Sequence, residues 1–177
     1  KGSLLIDTEF VANYNISTYN ISYVLNGGLI VGTNPVTYNV ESADFTLINP
    51  TKDDYVFLGW TYDGQTEPIE TVTITTGSVA KNLEFTAIFE SVFTLDGYGY
   101  IASMHDKAKT FSVINVPAEI NGVSVMGVKD SVLAEITNVE EFTTTHPYMK
   151  VVDGNLYSAD GATLYRYAPK KQETSFT

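Results

Sequence analysis

Part of the chain's opening sequence recurs 75 positions later. Residues 2–15 read GSLLIDTEFVANYN and residues 77–90 read GSVAKNLEFTAIFE, with five identities in fourteen aligned positions. Average composition would give about one identity by chance. An offset of this length indicates a repeated structural unit and favours two modules in the 177-residue chain. Residues 1–14 are therefore predicted to be the terminal strand of a preceding copy.

The pattern between the turns is typical of many short β-strands. Thr, Tyr, Val, Ile and Phe dominate, and turn residues such as Asn26-Gly27, Asn49-Pro50 and Asp63-Gly64 interrupt them at short intervals. Strands are predicted near 8–14, 19–25, 36–40, 44–48, 55–62, 70–75 and 83–90. The best helix candidate is KDSVLAEI at 129–136, with Asp130 or Ser131 as its N-cap. The predicted fold class is mainly β, or at most α+β.

Composition excludes several classes of partner. The chain has 21 acidic and 10 basic residues and a formal charge of −11, which repels the phosphates of nucleic acids. It has no cysteine, so it can form neither a disulfide framework nor a thiolate metal site. No apolar run is long enough to cross a bilayer, and the first ten residues lack a secretory signal core. We expect no direct membrane insertion here, and any signal or anchor should lie outside this segment.

Several features of the sequence are also found in catalytic or ligand-binding sites, but each is better explained by ordinary structure. The stretch GYGYIA at 97–102 has dinucleotide-binding spacing, but strand residues continue where that chemistry needs a helix, so a hairpin turn is predicted. His105 and His146 are predicted to be surface imidazoles, and the acidic pairs Asp53-Asp54 and Glu140-Glu141 to be solvated loop charges. No catalytic, cofactor-binding or metal-binding residue is nominated, and no cofactor is expected.

Aromatic residues offer the clearest candidates for a core and for a binding surface. Trp60 could be a platform for sugar stacking, but its position inside VFLGWTY favours core packing. The predicted core of this part of the chain contains Trp60 with Tyr55, Phe57, Phe85 and Phe89. Five tyrosines of the second half are possible ligand-facing residues, with about half of them expected in its core: Tyr98, Tyr100, Tyr157, Tyr165 and Tyr167.

Residues 15–90 carry a set of marks that resembles the Listeria-Bacteroides repeat, also known as the internalin-type B repeat. The marks are an LNGG turn after an aromatic strand, an NP before a Tyr strand, a P-x-x-x-x-Y-x-F-x-GW segment and a final A-x-F strand. They fall on Leu25 to Gly28, Asn34-Pro35, Tyr38, Pro50, Tyr55, Phe57, Gly59-Trp60 and Ala87 to Phe89. The resemblance implies a β-grasp-like module that occurs in tandem on extracellular bacterial proteins.

Residues 91–177 resemble the BspA-type leucine-rich repeat region. The matching stretches are Val116-Pro117, Ile120 to Val128 and Asp153 to Pro169, while the usual helix signature is replaced by SVLAEI. The resemblance implies a partial solenoid of stacked repeats. Because one such unit cannot bury its own face well, the chain is expected to continue beyond Thr177 in the full protein.

Together these resemblances imply a non-catalytic segment of a bacterial cell-surface protein, located outside the cell. Its expected role is adhesion, through a protein or glycan on a host cell or matrix. Two alternatives are a structural spacer repeat and an accessory glycan-binding module of a secreted enzyme. An adhesin should expose an aromatic or apolar patch on residues 92–177, whereas a spacer should not.

Overall fold

The computed structural model describes residues 12–77 and 79–171 of the chain. Most of the terminal strand predicted within residues 1–14 lies outside the described residues, and residues 12–14 are not in a strand. The structure is mainly β, as the turn pattern predicted. We refer to residues 12–91 as the N-terminal region and to residues 92–171 as the C-terminal region, because the two contain separate hydrophobic cores.

The N-terminal region is built on a four-stranded mixed sheet. In the order β2-β1-β6-β4, the two central strands run parallel and the outer strands run antiparallel to their neighbours. A short hairpin of β3 and β5 accompanies the sheet. The strands are β1 (Tyr19–Val24), β2 (Thr37–Tyr38), β3 (Phe45–Thr46), β4 (Tyr55–Tyr62), β5 (Thr73–Ile74) and β6 (Leu83–Ser91).

An aromatic cluster fills the core of this region. Trp60 is fully buried, as predicted, and its ring centroid lies 5.6 to 6.2 Å from those of Phe57, Tyr23 and Phe85. Its indole N–H donates to Asn49 Oδ1 at 3.0 Å, so the polar end of the side chain is also satisfied. Burial raises the pKa of Tyr23 to about 12.

A β-bulge in β4 explains how Trp60 reaches this core. The pairing with β6 shifts between Phe57 and Gly59, so Phe57 and Trp60 both contact the aromatic cluster although they are three positions apart. Gly59 has φ +147°, and a Cβ there would lie 2.6 to 2.8 Å from the backbone of Ile69. Only glycine permits both this conformation and the paired hydrogen bonds between Trp60 and Ile69.

The C-terminal region consists of short strands, one helical turn and one short helix. Its strands are β7 (Phe93–Leu95), β8 (Tyr100–Met104), β9 (Val113–Val116), β10 (Glu119–Ile120), β11 (Val123–Ser124), β12 (Gly127–Val128), β13 (Glu141–Thr144), β14 (Met149–Val152), β15 (Asn155–Ser158) and β16 (Leu164–Arg166). A 3-10 turn covers Asp106–Thr110, and helix α1 covers Asp130–Glu135. The sequence GYGYIA lies in the β7–β8 hairpin and the start of β8, as predicted.

Two strand pairs of this region are parallel, and the others are hairpins. β12 runs parallel to β8, and β13 runs parallel to β9 in a register that pairs Val113 with Glu141. Thr143 Oγ1 donates to Asn115 Oδ1, 28 positions earlier, at 3.2 Å. The core beneath them is mostly aliphatic, with Ile101, Ile114, Val116 and Leu156 almost fully buried. Strands β14, β15 and β16 form an antiparallel meander beside these pairs.

The helix begins differently from the sequence prediction. Its N-cap is Lys129, whose side chain makes no capping hydrogen bond, and Asp130 is the first helical residue. The prediction of Asp130 or Ser131 as N-cap was therefore wrong. Val132 and Leu133 are buried against the aliphatic core, so packing of these side chains fixes this helix of only six residues.

The two regions are joined by direct contacts across residue 91. Val56 of β4 packs into the aliphatic core of the C-terminal region, and Leu58 is partly buried against it. The amide of Asn115 donates to both carboxylate oxygens of Asp54, at 2.9 and 3.1 Å. Tyr55 Oη donates to Asn121 Oδ1 at 2.6 Å. The prediction of Tyr55 in the aromatic core was wrong, because its ring faces this junction instead.

Candidate functional site

A cavity of about 250 Å³ opens on the C-terminal region, and we call it the tyrosine cleft. Strands β8 and β12, helix α1, the turn before β14 and the meander contribute to its walls. The side chains that matter for its chemistry are Tyr100, Met126, Asp130, His146, Tyr148 and Tyr165. Leu133 and Leu156 connect its lining to the aliphatic core.

Two glycines allow one wall of the tyrosine cleft to pack tightly. A Cβ on Gly127 would lie 3.1 Å from the ring of Tyr100, so the ring rests directly on the β12 backbone. A Cβ on Gly99, which has φ +84°, would lie 3.0 Å from Met126 Cγ. Met126 is nevertheless exposed, which leaves its thioether accessible beside Tyr100.

The β7–β8 turn is held by Asp96. Its Oδ1 accepts the backbone N–H groups of Tyr98 and Tyr100 at 2.9 and 3.0 Å. Its other oxygen lies 2.7 Å from Lys129 Nζ. The hydrogen bond from Lys129 and those from the backbone lower the pKa of Asp96 below the ordinary value of 3.8. The carboxylate therefore fixes the position of Tyr100 and engages the lysine that precedes α1.

His146 is a buried polar residue in the wall of the cleft. Its side chain contacts Val125 O through Nε2 at 2.9 Å, and Nδ1 accepts the backbone N–H of Tyr148 at 3.2 Å. These two contacts require a neutral imidazole with its proton on Nε2. The residue is only 3% exposed, so the prediction of a surface imidazole was wrong. His105 remains partly exposed, with Nε2 3.5 Å from Glu90.

Among the residues that the structure describes, Asp130 is the one acidic residue that lines the cleft, and it differs from Asp96 of the adjoining turn. Its carboxylate has no hydrogen bond or ion pair to any other residue in the described part of the chain. Lys129, its neighbour in sequence, is engaged with Asp96. The cleft therefore presents one unpaired negative charge among aromatic and thioether groups.

The five tyrosines predicted to face a ligand take different positions. Tyr100 and Tyr165 line the cleft, and Tyr98 lies on the adjoining turn with 84% of its surface exposed. Tyr157 is half-buried, and Tyr167 is exposed; neither lines the cavity. The expectation that half of them fill the core was wrong, since none is buried.

Sequence reasoning missed Tyr148, Met126, His146 and Asp130. Tyr148 is 73% exposed and follows Pro147 in a turn, a position where an apolar side chain with no strand to pack on is left at the surface. The sequence THPYM signalled that turn. Nothing in the sequence signalled that β12 and the meander would converge on it.

Two larger cavities, of about 540 and 530 Å³, lie at the junction of the two regions. Most of their polar side chains are hydrogen-bonded, either to each other, as in the pairs Asp54–Asn115 and Glu70–Lys107, or to backbone groups, as Thr144 is to Val116 O. These side chains stabilise the junction, so few hydrogen-bond donors or acceptors in the two cavities are left free for a ligand. Across the part of the chain that the structure describes, no group of three or more His, Asp or Glu side chains is placed to hold a metal ion.

None of the helices within residues 12–77 and 79–171 has the length and hydrophobicity that crossing a membrane requires. No curated protein and no solved structure showed significant similarity to the chain. Residues 19–88 do match the family model of the Listeria-Bacteroides repeat domain, which confirms the resemblance expected for that part of the chain. The match indicates that this stretch is similar to a repeat module that occurs in bacterial surface proteins.

Proposed function

We propose that the chain is a non-catalytic segment of a bacterial cell-surface protein that binds a protein on a host cell or matrix. In this proposal it lies outside the cell, residues 15–90 are a β-grasp-like repeat and residues 91–177 are part of a leucine-rich repeat solenoid. The mixed sheet with parallel central strands supports the first assignment. The parallel pairs β8–β12 and β9–β13 support the second, because stacked solenoid turns pair in this way.

The observation that carries the proposal is the exposed aromatic surface around the tyrosine cleft. Tyr98, Tyr100, Met126, Tyr148 and Tyr165 are all exposed on the C-terminal region. Tyrosine and methionine are enriched at protein interfaces, and a lone spacer has no need of such a surface. A spacer role is therefore the weaker alternative. An accessory glycan-binding role is the second alternative, because tyrosine rings also stack on sugars.

A binding assay with paired variants tests this proposal. The chain would be applied to immobilised collagen, fibronectin and laminin, and its retention compared with that of a Tyr148→Ala, Tyr165→Ala double variant. The matched control is Tyr14→Ala, because Tyr14 is 88% exposed and belongs to the N-terminal region. Binding that the double variant loses and the control keeps supports the proposal. Equal retention of all three chains, or no retention of any, contradicts it.

A further inference from the structure

We propose that the tyrosine cleft binds the cationic side chain of a lysine or arginine on the protein partner. In this arrangement the carboxylate of Asp130 faces the cation, and the rings of Tyr100, Tyr148 and Tyr165 enclose it. The inference rests on the proposed function, because it names the chemistry by which the same surface recognises a protein.

The charge of the lining points to a cation. Asp130 is the only charged side chain among the lining residues, and it has no ionic partner within the described chain. His146 offers no positive charge, because its two ring nitrogens are satisfied as a neutral imidazole. Lys129 is held by Asp96. The net charge of −11 also favours basic partners over acidic ones.

The aromatic side chains point to the same ligand. The faces of tyrosine rings attract ammonium and guanidinium groups, and the attraction grows when water is excluded. The chain already contains one such contact, in which Lys52 Nζ lies 3.9 Å from the centre of the Tyr55 ring. The thioethers of Met126 and Met149 can pack along the aliphatic stem of a long basic side chain.

The size of the cleft favours one side chain over an oligosaccharide. At about 250 Å³ it lies below the range of roughly 300 to 1,000 Å³ that is usual for sites of drug-sized ligands. A neutral sugar would leave Asp130 without a charged partner. A lysine or arginine side chain would pair with the carboxylate, contact the faces of the tyrosine rings and fit within the volume of the cleft.

The methionines provide a direct readout of binding. The chain has three, of which Met126 and Met149 line the cleft while Met104 is buried in the aliphatic core. The full chain with ¹³C-labelled methionine methyl groups would be titrated with the peptide acetyl-Gly-Arg-Gly-amide. The same titration with citrulline in place of arginine removes the charge and keeps the shape. We expect the Met126 and Met149 signals to move with arginine, several-fold less with citrulline, and the Met104 signal to stay still.

Two matched variants locate the charge. Asp130→Asn should weaken arginine-peptide binding about two- to fivefold and leave the citrulline peptide unchanged. Glu140→Gln removes an exposed carboxylate of the same region that does not line the cleft, and it should have no effect. Circular dichroism spectra identical to that of the original chain would show that both variants are folded.

Several results would overturn the cation site. These are equal shifts with the two peptides, no shift with either, or an arginine response that Asp130→Asn leaves intact. Larger shifts with tri-N-acetylchitotriose than with the arginine peptide would assign the cleft to a glycan instead. If the chain distinguished the arginine peptide from the citrulline peptide but was not retained on the matrix proteins, only the proposed function would be rejected. If it was retained on the matrix proteins but did not distinguish the two peptides, only the cation site would be rejected.

Discussion

The two regions of the molecule place their tyrosines differently, although both bury phenylalanines. In the N-terminal region, Trp60, Phe85 and Tyr38 are buried, and further rings pack against them. The C-terminal core is mostly aliphatic, while Tyr98, Tyr100, Tyr148 and Tyr165 are exposed. Tyrosine therefore packs mostly in or against the core of one region and is mostly exposed on the surface of the other. Aromatic content alone does not distinguish a core from an exposed aromatic surface.

The difference follows from the backbone each region provides. The mixed sheet of the N-terminal region has one broad face, and large rings from β1, β4 and β6 can meet across it. The C-terminal region is divided into strands of two to five residues. Its small sheets cover a mostly aliphatic core that also contains Phe93 and Phe142. The exposed tyrosines lie outside this core, with Tyr98 and Tyr148 in turns and Tyr100 and Tyr165 at exposed strand positions.

Removal of the central ring should have the largest effect on stability. Trp60→Ala should lower the free energy of unfolding by about 3 to 5 kcal/mol, because it leaves a cavity beneath three other rings. Urea unfolding followed by circular dichroism measures the loss. A loss under about 1 kcal/mol would show that the aromatic cluster is not the core of the N-terminal region.

A smaller loss of unfolding free energy is expected when the β4 bulge that places Trp60 in the core is disturbed. Gly59→Ala should cost about 2 to 4 kcal/mol, because it combines an unfavourable φ with a clash against the Ile69 backbone. Gly64→Ala is the matched control: Gly64 also has positive φ, but a Cβ there meets nothing within 4 Å. We expect about 1 kcal/mol for the control. If Gly59→Ala and Gly64→Ala lost the same unfolding free energy, the close approach of the Ile69 backbone to Gly59 would not be the reason that position 59 requires glycine.

The junction between the regions should tolerate change more readily. Tyr55→Phe removes the hydrogen bond to Asn121 and should cost about 0.5 to 1.5 kcal/mol by the same unfolding measurement. Tyr14→Phe, at a fully surface position, should change stability by less than about 0.5 kcal/mol. A neutral Tyr55→Phe variant would mean that this contact does not hold the two regions together.

The smallest effect concerns the polar contacts that hold Tyr100 in place. The pKa of Asp96 is lower in the folded chain than in the unfolded chain. Its ionised carboxylate therefore stabilises the fold at pH values above the pKa of the unfolded chain. That contribution is lost as the pH falls below about 3.8, through the folded pKa. Carboxyl NMR titration should place the pKa below 3.8, and Lys129→Gln should raise it. An unchanged pKa in that variant would contradict the assigned cause.

The sequence predicted the long strands well because each has strong alternation and clear turn signals. Strand β6 was expected at 83–90 and is found at Leu83–Ser91, with Leu83, Phe85, Ala87 and Phe89 all in the aromatic core or packed against it. The mainly β class and the burial of Trp60 follow from the same signals. The bulge at Phe57–Gly59 was not predicted, because its cause is the approach of Ile69, which is distant in sequence.

The candidate site was only partly predictable for a similar reason. Tyr100 and Tyr165 were named as possible ligand-facing residues of the second half, but Tyr148, His146 and Asp130 join them only through long-range packing. Local sequence indicated a polar, exposed His146, whereas Val125 O provides the partner that allows it to be buried. Local patterns identify strands and turns, and they carry little information on which turns meet.

Exposure of individual tyrosine rings tests the contrast between the two regions most directly. The chain has twelve tyrosines, which can be labelled as 3-fluorotyrosine and assigned by single Tyr→Phe variants. A soluble paramagnetic reagent should strongly broaden the ¹⁹F signals of Tyr98, Tyr100, Tyr148 and Tyr165 and leave that of Tyr38 sharp. If these C-terminal tyrosines were as protected as Tyr38, the C-terminal region would bury its tyrosines and would have no exposed cleft, which would contradict the contrast.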